Sequence, residues 1–170
     1  DSGVLLLGPT SPMIERVSPK SQLYQCCEEL AILNPPAYHL ISATEDFTTF
    51  RRELASILDE WNCPLIIKPD TSAGGEGLSL ITEDSEESLR LAYEKAKTHD
   101  DSILVQKMIR GTSISLSVVA TIAEPTLLSI NKQFITPAPP TAKTEYQGGL
   151  APLELPLLSS ILNDLKILIE

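Results

Sequence analysis

The sequence predicts an α+β fold, and three observations carry that prediction. Residues 63–81 hold an apolar run, a loop of small residues and a second apolar run. Amphipathic helical periods stand before and after that unit. Residues 113–121 alternate along the chain as a half-buried antiparallel strand does.

The central unit reads CPLIIKPDTSAGGEGLSLI. Leu65-Ile66-Ile67 predicts a strand leading into Lys68-Pro69, residues 70–77 a loop, and residues 78–81 a second strand. Gly74, Gly75 and Gly77 allow positive φ and a close backbone approach to a ligand. Successive N–H groups in such a loop form a concavity that favours an anion. Lys68 would add a point charge to a phosphate held there. The Gly-Lys-Ser/Thr ending of a P-loop is absent and no helix start follows the last glycine, which excludes that motif and a dinucleotide fingerprint. The plainer alternative is a glycine-rich hairpin turn beside an exposed lysine.

A chain of 170 residues suits one domain or two small lobes with a real core. Apolar content of 42% and charged content of 21% are those of an ordinary globular protein. A net charge of −10 with no basic stripe excludes a nucleic-acid partner, and leaves any nucleotide to a few local lysines and backbone amides. No apolar run approaches a membrane span, and no signal peptide opens the chain. Cys26, Cys27 and Cys63 lack CxxC spacing, which argues against a disulfide framework or zinc site and for a reducing cytoplasm. All three read as small buried hydrophobes.

In chain order, residues 4–7 predict a strand ending at Gly8-Pro9. Ser18-Pro19-Lys20 predicts an N-cap, a proline at the first helical position and a helix start. Leu23, Cys26, Cys27 and Leu30 would be its buried face, and Asn34-Pro35-Pro36 its end. A lysine in the first turn is disfavoured by the helix dipole, so Lys20 is either solvated surface or faces an anion. Residues 46–61 predict a second helix, with Phe47, Phe50, Leu54, Ile57, Leu58 and Trp61 on one side. Residues 84–98 predict a third, with Leu89, Ala92, Tyr93 and Ala96 inward and acids in its first turn.

Residues 103–106 predict a strand that breaks at Ile109-Arg110-Gly111. In residues 113–121, Ile114, Leu116, Val118 and Ala120 share one face. Glu124-Pro125 turns the chain into a strand that runs on to Ile135. Residues 136–144, TPAPPTAKT, predict a flexible loop. Order resumes at Tyr146-Gln147-Gly148-Gly149, and Pro156 opens a last helix.

Taken in order, these signals resemble the ATP-grasp superfamily of ATP-dependent carboxylate–amine ligases. Ser18-Pro19-Lys20, its helix and Asn34-Pro35-Pro36 resemble that family's Ser-Asp-Lys helix and its exit. Residues 64–69 with the glycine loop resemble its nucleotide-covering hairpin, and residues 103–111 the hinge strand that holds adenine. Asn131-Lys132-Gln133, Tyr146-Gln147-Gly148-Gly149 and Pro152 resemble a subgroup that includes tyramine–glutamate ligase.

The resemblance implies an ATP-grasp fold of two α+β lobes with nucleotide between them, incomplete at both ends. Residues 1–17 would end a preceding domain, 18–104 form the small lobe and 105–170 part of the C-terminal lobe. It implies that Lys20 and Lys68 straddle the α- and β-phosphates, and that Ser72, Ala73, Gly74, Gly75 and Gly77 form a lid. Gln106 and the backbone of Lys107, Met108 and Ile109 would meet the adenine edge. Lys132 would meet the γ-phosphate, though an exposed strand lysine is the plainer reading.

Departures accompany the match. Ser113 stands where many members have a ribose-binding Glu, and Pro19 where they have Asp. The resemblance implies ATP and Mg2+ as cofactors, but the metal-binding carboxylates and Asn would come from strands beyond the last helix. It also implies small-molecule carboxylate and amine substrates, and it allows a homodimer. The rival readings are a nucleotide-binding or regulatory module without a metal site, and a plain interaction domain whose glycine loop is only a turn.

Overall fold

The computed structural model describes residues 8–32, 34–44, 46–119 and 126–153, together with Asn163 and Ile167. The predicted strand at residues 4–7, the turn at Glu124-Pro125 and most of the last helix lie outside the described residues.

A first sheet is built from β1 (Tyr38–Ser42), β2 (Leu65–Pro69), β3 (Ser79–Ile81) and β4 (Ser102–Lys107). Its spatial order is β1-β4-β2-β3, antiparallel throughout. Period-two alternation sorts its side chains onto two faces. Ile41, Leu65, Ile67, Ile81, Ile103 and Val105 face two helices, α3 (Phe47–Trp61) and α4 (Glu86–Lys97), and form the main core with them. The helical periods in the sequence point inward as expected: Phe50, Leu54, Ile57 and Trp61 from α3, and Leu89, Ala92, Tyr93 and Ala96 from α4, are buried. Asp46 caps α3 by accepting from Thr49 N, and Ser85 caps α4 by accepting from Ser88 N. The opposite face carries the row Tyr38, Gln106, Ile66 and Leu80, with Lys68 beside Leu104. The candidate site lies on that face.

Two helices not separated in the sequence reading precede β1. They are α1 (Ser11–Val17) and α2 (Lys20–Glu29). Ser18 closes α1, its hydroxyl donating to Ile14 O, and so is not the N-cap of α2. Pro19 holds that position and supplies no side-chain cap. The helix also ends before Asn34-Pro35-Pro36, at Leu30, and Ala31 follows with φ +52°. Its expected apolar face is corrected in the same way. Leu23 and Leu30 are exposed, and only Cys27 of the three cysteines is buried. The α2 face that docks on the sheet is polar: Ser21, Tyr24 and the Lys20 stem reach the first sheet or its loop.

A second antiparallel sheet joins β5 (Ile114–Val119), β6 (Thr126–Thr136) and β7 (Glu145–Leu150) in the order β5-β6-β7. Among its described residues only Ile130 is buried. The clean inward row expected for residues 113–121 is not formed among the described residues: Ile114 is exposed, and Leu116 and Val118 are only half-buried, as Ser115 and Ser117 are. Register shifts between Gln133 and Ile135. Gly149 sits at that irregularity, where a Cβ would lie 2.7 Å from Lys132 O. The small residue in the Tyr-Gln-Gly-Gly run is thus required by the closeness of the neighbouring strand.

Candidate functional site

Asp70, the first residue after β2, organises the cleft. Its carboxylate accepts from Ser21 N at 2.8 Å and from Ser21 Oγ at 2.6 Å, and its carbonyl accepts from Lys20 N. It therefore caps the N-terminus of α2 from a distant strand, replacing the cap that Pro19 cannot give. A buried anion at a helix N-terminus also suits the dipole. Asp70 N in turn donates to Ser102 O, and Thr71 N to Asp100 Oδ2, which fixes the loop to the start of β4.

Lys20 points into the loop. Its ammonium donates to Pro69 O, Asp70 O and Ser72 O at 3.2, 2.9 and 3.0 Å, with Ser72 Oγ at 3.3 Å. Burial lowers its pKa, while Asp70 and Asp100 pull it back up. With three N–H groups spent on carbonyls, Lys20 shapes the loop entrance.

Lys68 is in a different state. Its contacts among the described residues are a long bond to the Tyr24 hydroxyl at 3.4 Å and the Tyr24 ring at 5.7 Å. Burial, then the nearby Lys20 charge, lowers its pKa to about 8, with Asp70 opposing. A half-buried cation so poorly compensated is suited to an incoming anion.

Tyr24 connects this lysine to β4. It donates to Gln106 Oε1 at 2.9 Å and packs edge-on against Tyr38 at 5.1 Å. Burial raises its pKa, with Asp70 adding to the shift. Lys68, Tyr24 and Gln106 thus form one polar line between α2 and the face of the sheet turned away from the main core. Neither Tyr24 nor the Asp70–Ser21 pair was picked out in the sequence. Tyr24 stands one helical turn after Lys20, the spacing that puts two side chains on one helix face.

The glycine loop closes with a turn in which Gly74, Gly75 and Gly77 have φ of +64°, +80° and +72°. Gly77 also permits a close approach: a Cβ there would stand 2.4 Å from Pro69 Cγ. The loop has more anchors than its composition suggests. Lys95 Nζ donates to Leu78 O at 2.9 Å and to Ala142 O at 2.8 Å, and Leu80 N donates to Ala138 O. The proline-rich segment is thereby strapped against the loop, with Gly75 beside Thr144. Ala73 opens that turn, its carbonyl accepting from Glu76 N.

At the end of β4, Lys107 N donates to Ala37 O and Met108 N to Pro64 O, both 2.9 Å. Those two N–H groups are committed to neighbouring chain. The Lys107 ammonium lies over the Trp61 ring at 5.3 Å, on the side of α3. Ile109 has an exposed side chain. Ser113 and Lys132 line one shallow cleft of the second sheet, with Gly111, Gln133 and Gln147. Register places Lys132 opposite Ile114, and its ammonium stands 5.5 Å from the Phe134 ring. Lys20, Lys68, Ser72 and Gln106 are thus brought together, whereas Ser113 and Lys132 belong to the second sheet. Among the described residues no group of three or more His, Cys, Asp or Glu side chains could hold a metal ion.

The two antiparallel sheets and their packed helices make this an α+β protein, with a glycine loop, a half-buried lysine and Gln106 of β4 gathered at one site. Comparison makes the class specific: residues 17–170 match the ATP-grasp domain family, and the chain belongs to it. It is 27% identical over 92 residues to D-alanine–D-alanine ligase B of Chromobacterium violaceum, covering 54% of this chain and 27% of that protein. It is 30% identical over 93 residues to the D-alanine–D-alanine ligase of Nitrosospira multiformis, covering 55% and 28%. In fold it resembles D-alanine–D-alanine ligase from Helicobacter pylori, with TM-score 0.64 and 18% identity, over 95% of this chain and 45% of that one. It also resembles an ADP complex of N5-carboxyaminoimidazole ribonucleotide synthetase, with TM-score 0.69 and 13% identity, over 92% and 38%. The chain therefore spans 27–28% of those two curated relatives and under half of either solved chain. No helix among the described residues is long and apolar enough to cross a membrane.

Proposed function

We propose that the chain is the ATP-binding portion of an ATP-dependent carboxylate–amine ligase. The observation that carries this is the undercompensated Lys68 ammonium beside the glycine turn, joined through Tyr24 to Gln106 on one sheet face. Lys68 would neutralise phosphate charge, the backbone of residues 72–77 would cover it, and Lys20 would hold that backbone in shape. Gln106 and the Ile109 N–H would border the base, and Ser113 the ribose. Lys132, from the second sheet, would meet the terminal phosphate.

The reaction needs no side-chain nucleophile. A substrate carboxylate oxygen attacks the γ-phosphorus and ADP leaves, giving an acylphosphate. An amine then attacks the acyl carbon, inorganic phosphate leaves and a proton is lost, forming the C–N bond. Positioning and charge neutralisation are what the protein contributes. The described residues do not fit a magnesium site.

The names of the curated relatives favour an amino-acid ligase. The finer placement near tyramine–glutamate ligase rests on Asn131-Lys132-Gln133 and the Tyr-Gln-Gly-Gly run alone. A division at residue 104 into small and C-terminal lobes falls inside β4, so that strand would carry the hinge. The cytoplasm is the proposed compartment on cysteine usage, and a homodimer on the resemblance. The test is phosphate release by the intact protein with ATP and Mg2+ across a panel of amino acids and amines. Release requiring both substrates supports the ligase; nucleotide binding without release under any pairing supports a binding module instead.

A further inference from the structure

A lysine ammonium has only donors, so the Lys68–Tyr24 contact makes the Tyr24 oxygen an acceptor. Its single O–H must then go elsewhere, and it goes to Gln106 Oε1 at 2.9 Å. This chain of donations gives the Gln106 amide a direction. Its oxygen is turned toward Tyr24, which leaves Nε2, on the other side of the amide, directed away and without a partner among the described residues. Edge packing on Tyr38 holds the Tyr24 ring in the geometry that keeps the order.

We propose that Tyr24 is a positioning residue that sets base preference, by forcing Gln106 to present a donor to the nucleotide. The inference rests on the reading that Gln106 borders the base, and borders it at the 6-substituent. A donor opposes the 6-amino group of adenine and matches the 6-oxo group of hypoxanthine or guanine. The site would therefore tolerate a 6-oxo purine nucleoside triphosphate better than an acceptor at that position would allow. A glutamate at residue 106 reverses the polarity: one oxygen still accepts from Tyr24, and the other accepts from the base.

The experiment is calorimetric titration of the intact protein with ATP and with inosine triphosphate, for the parent, Gln106→Glu, Tyr24→Phe and Tyr38→Phe. Gln106→Glu should move the ratio of affinities toward ATP by about tenfold, the scale of one exchanged donor–acceptor contact. Tyr24→Phe, which frees the amide to turn over, should shift the ratio in the same direction by less. Tyr38→Phe keeps the ring and should leave the ratio alone. A merely structural Tyr24 would lower both affinities together and leave the ratio unchanged, which overturns the proposal. So does an unchanged ratio in Gln106→Glu, even where ATP still binds and the nucleotide reading stands. Binding of neither nucleotide to the parent protein overturns both.

Discussion

Replacing Lys68 with methionine keeps most of the buried stem and removes only the charge. In the free protein that charge is held at a cost: burial and Lys20 lower its pKa to about 8, and its one hydrogen bond among the described residues is 3.4 Å long. At pH 7 the group is still about nine-tenths protonated. A phosphate oxygen would give it the charge-assisted contact it lacks, worth about 1.5–3 kcal/mol, or roughly tenfold to a hundredfold in ATP affinity. Lys107→Met is the matched control, because that ammonium lies over Trp61 on the other side of the sheet. Isothermal titration at pH 7 should show the large loss for Lys68→Met and little change for Lys107→Met. Equal losses would refute the placement of both residues.

The same group predicts a pH dependence. Because its folded pKa is depressed to about 8, Lys68 is charged below that value, and ATP affinity should fall as pH rises through it. The Lys68→Met protein should lack that component. Stability without ligand should move the other way: between about 8 and 10.5 the unfolded chain binds more protons, so denaturant midpoints should rise with pH relative to Lys68→Met. Asp70→Ala strands the buried Ser21 N–H and removes the distant cap of α2, and should cost about 2–3 kcal/mol in urea unfolding; an unchanged midpoint would contradict the cap. Gly77→Ala should destabilise more than Gly74→Ala, since both have positive φ but only Gly77 would drive a Cβ into Pro69. Gly74→Ala should cost about 1–2 kcal/mol, and a reversed ranking would contradict the close approach.

Features that depend on residues near one another in the chain were legible. The inward faces of α3 and α4 follow from helical spacing, and Asp46 and Ser85 cap within three residues of themselves. The strand, glycine loop and strand at residues 65–81 were equally plain, because Gly and Pro punctuate them. The misreadings share a cause. Ser18 has the chemistry of a cap, but the cap that forms is Asp70, 49 residues away from Ser21. Leu23 and Leu30 have helical spacing, yet α2 docks through polar groups, since its neighbours are a carboxylate, loop carbonyls and Gln106. Local period reports amphipathicity and carries no information about which face a distant element will meet. Lys95 escaped notice for the same reason: its partners, Leu78 and Ala142, are carbonyls, which leave no trace in residue type.

The central claim is transfer of the γ-phosphoryl group to a carboxylate before any amine reacts. Positional isotope exchange in ATP labelled at the β,γ-bridging oxygen reads that step directly, because reversible cleavage scrambles the bridge while ADP remains bound. The intact protein, given ATP, magnesium and its carboxylate substrate but no amine, should scramble the label, and Lys68→Met should do so far more slowly. Scrambling that appears only when the amine is also present, or that proceeds without any carboxylate, would contradict the account.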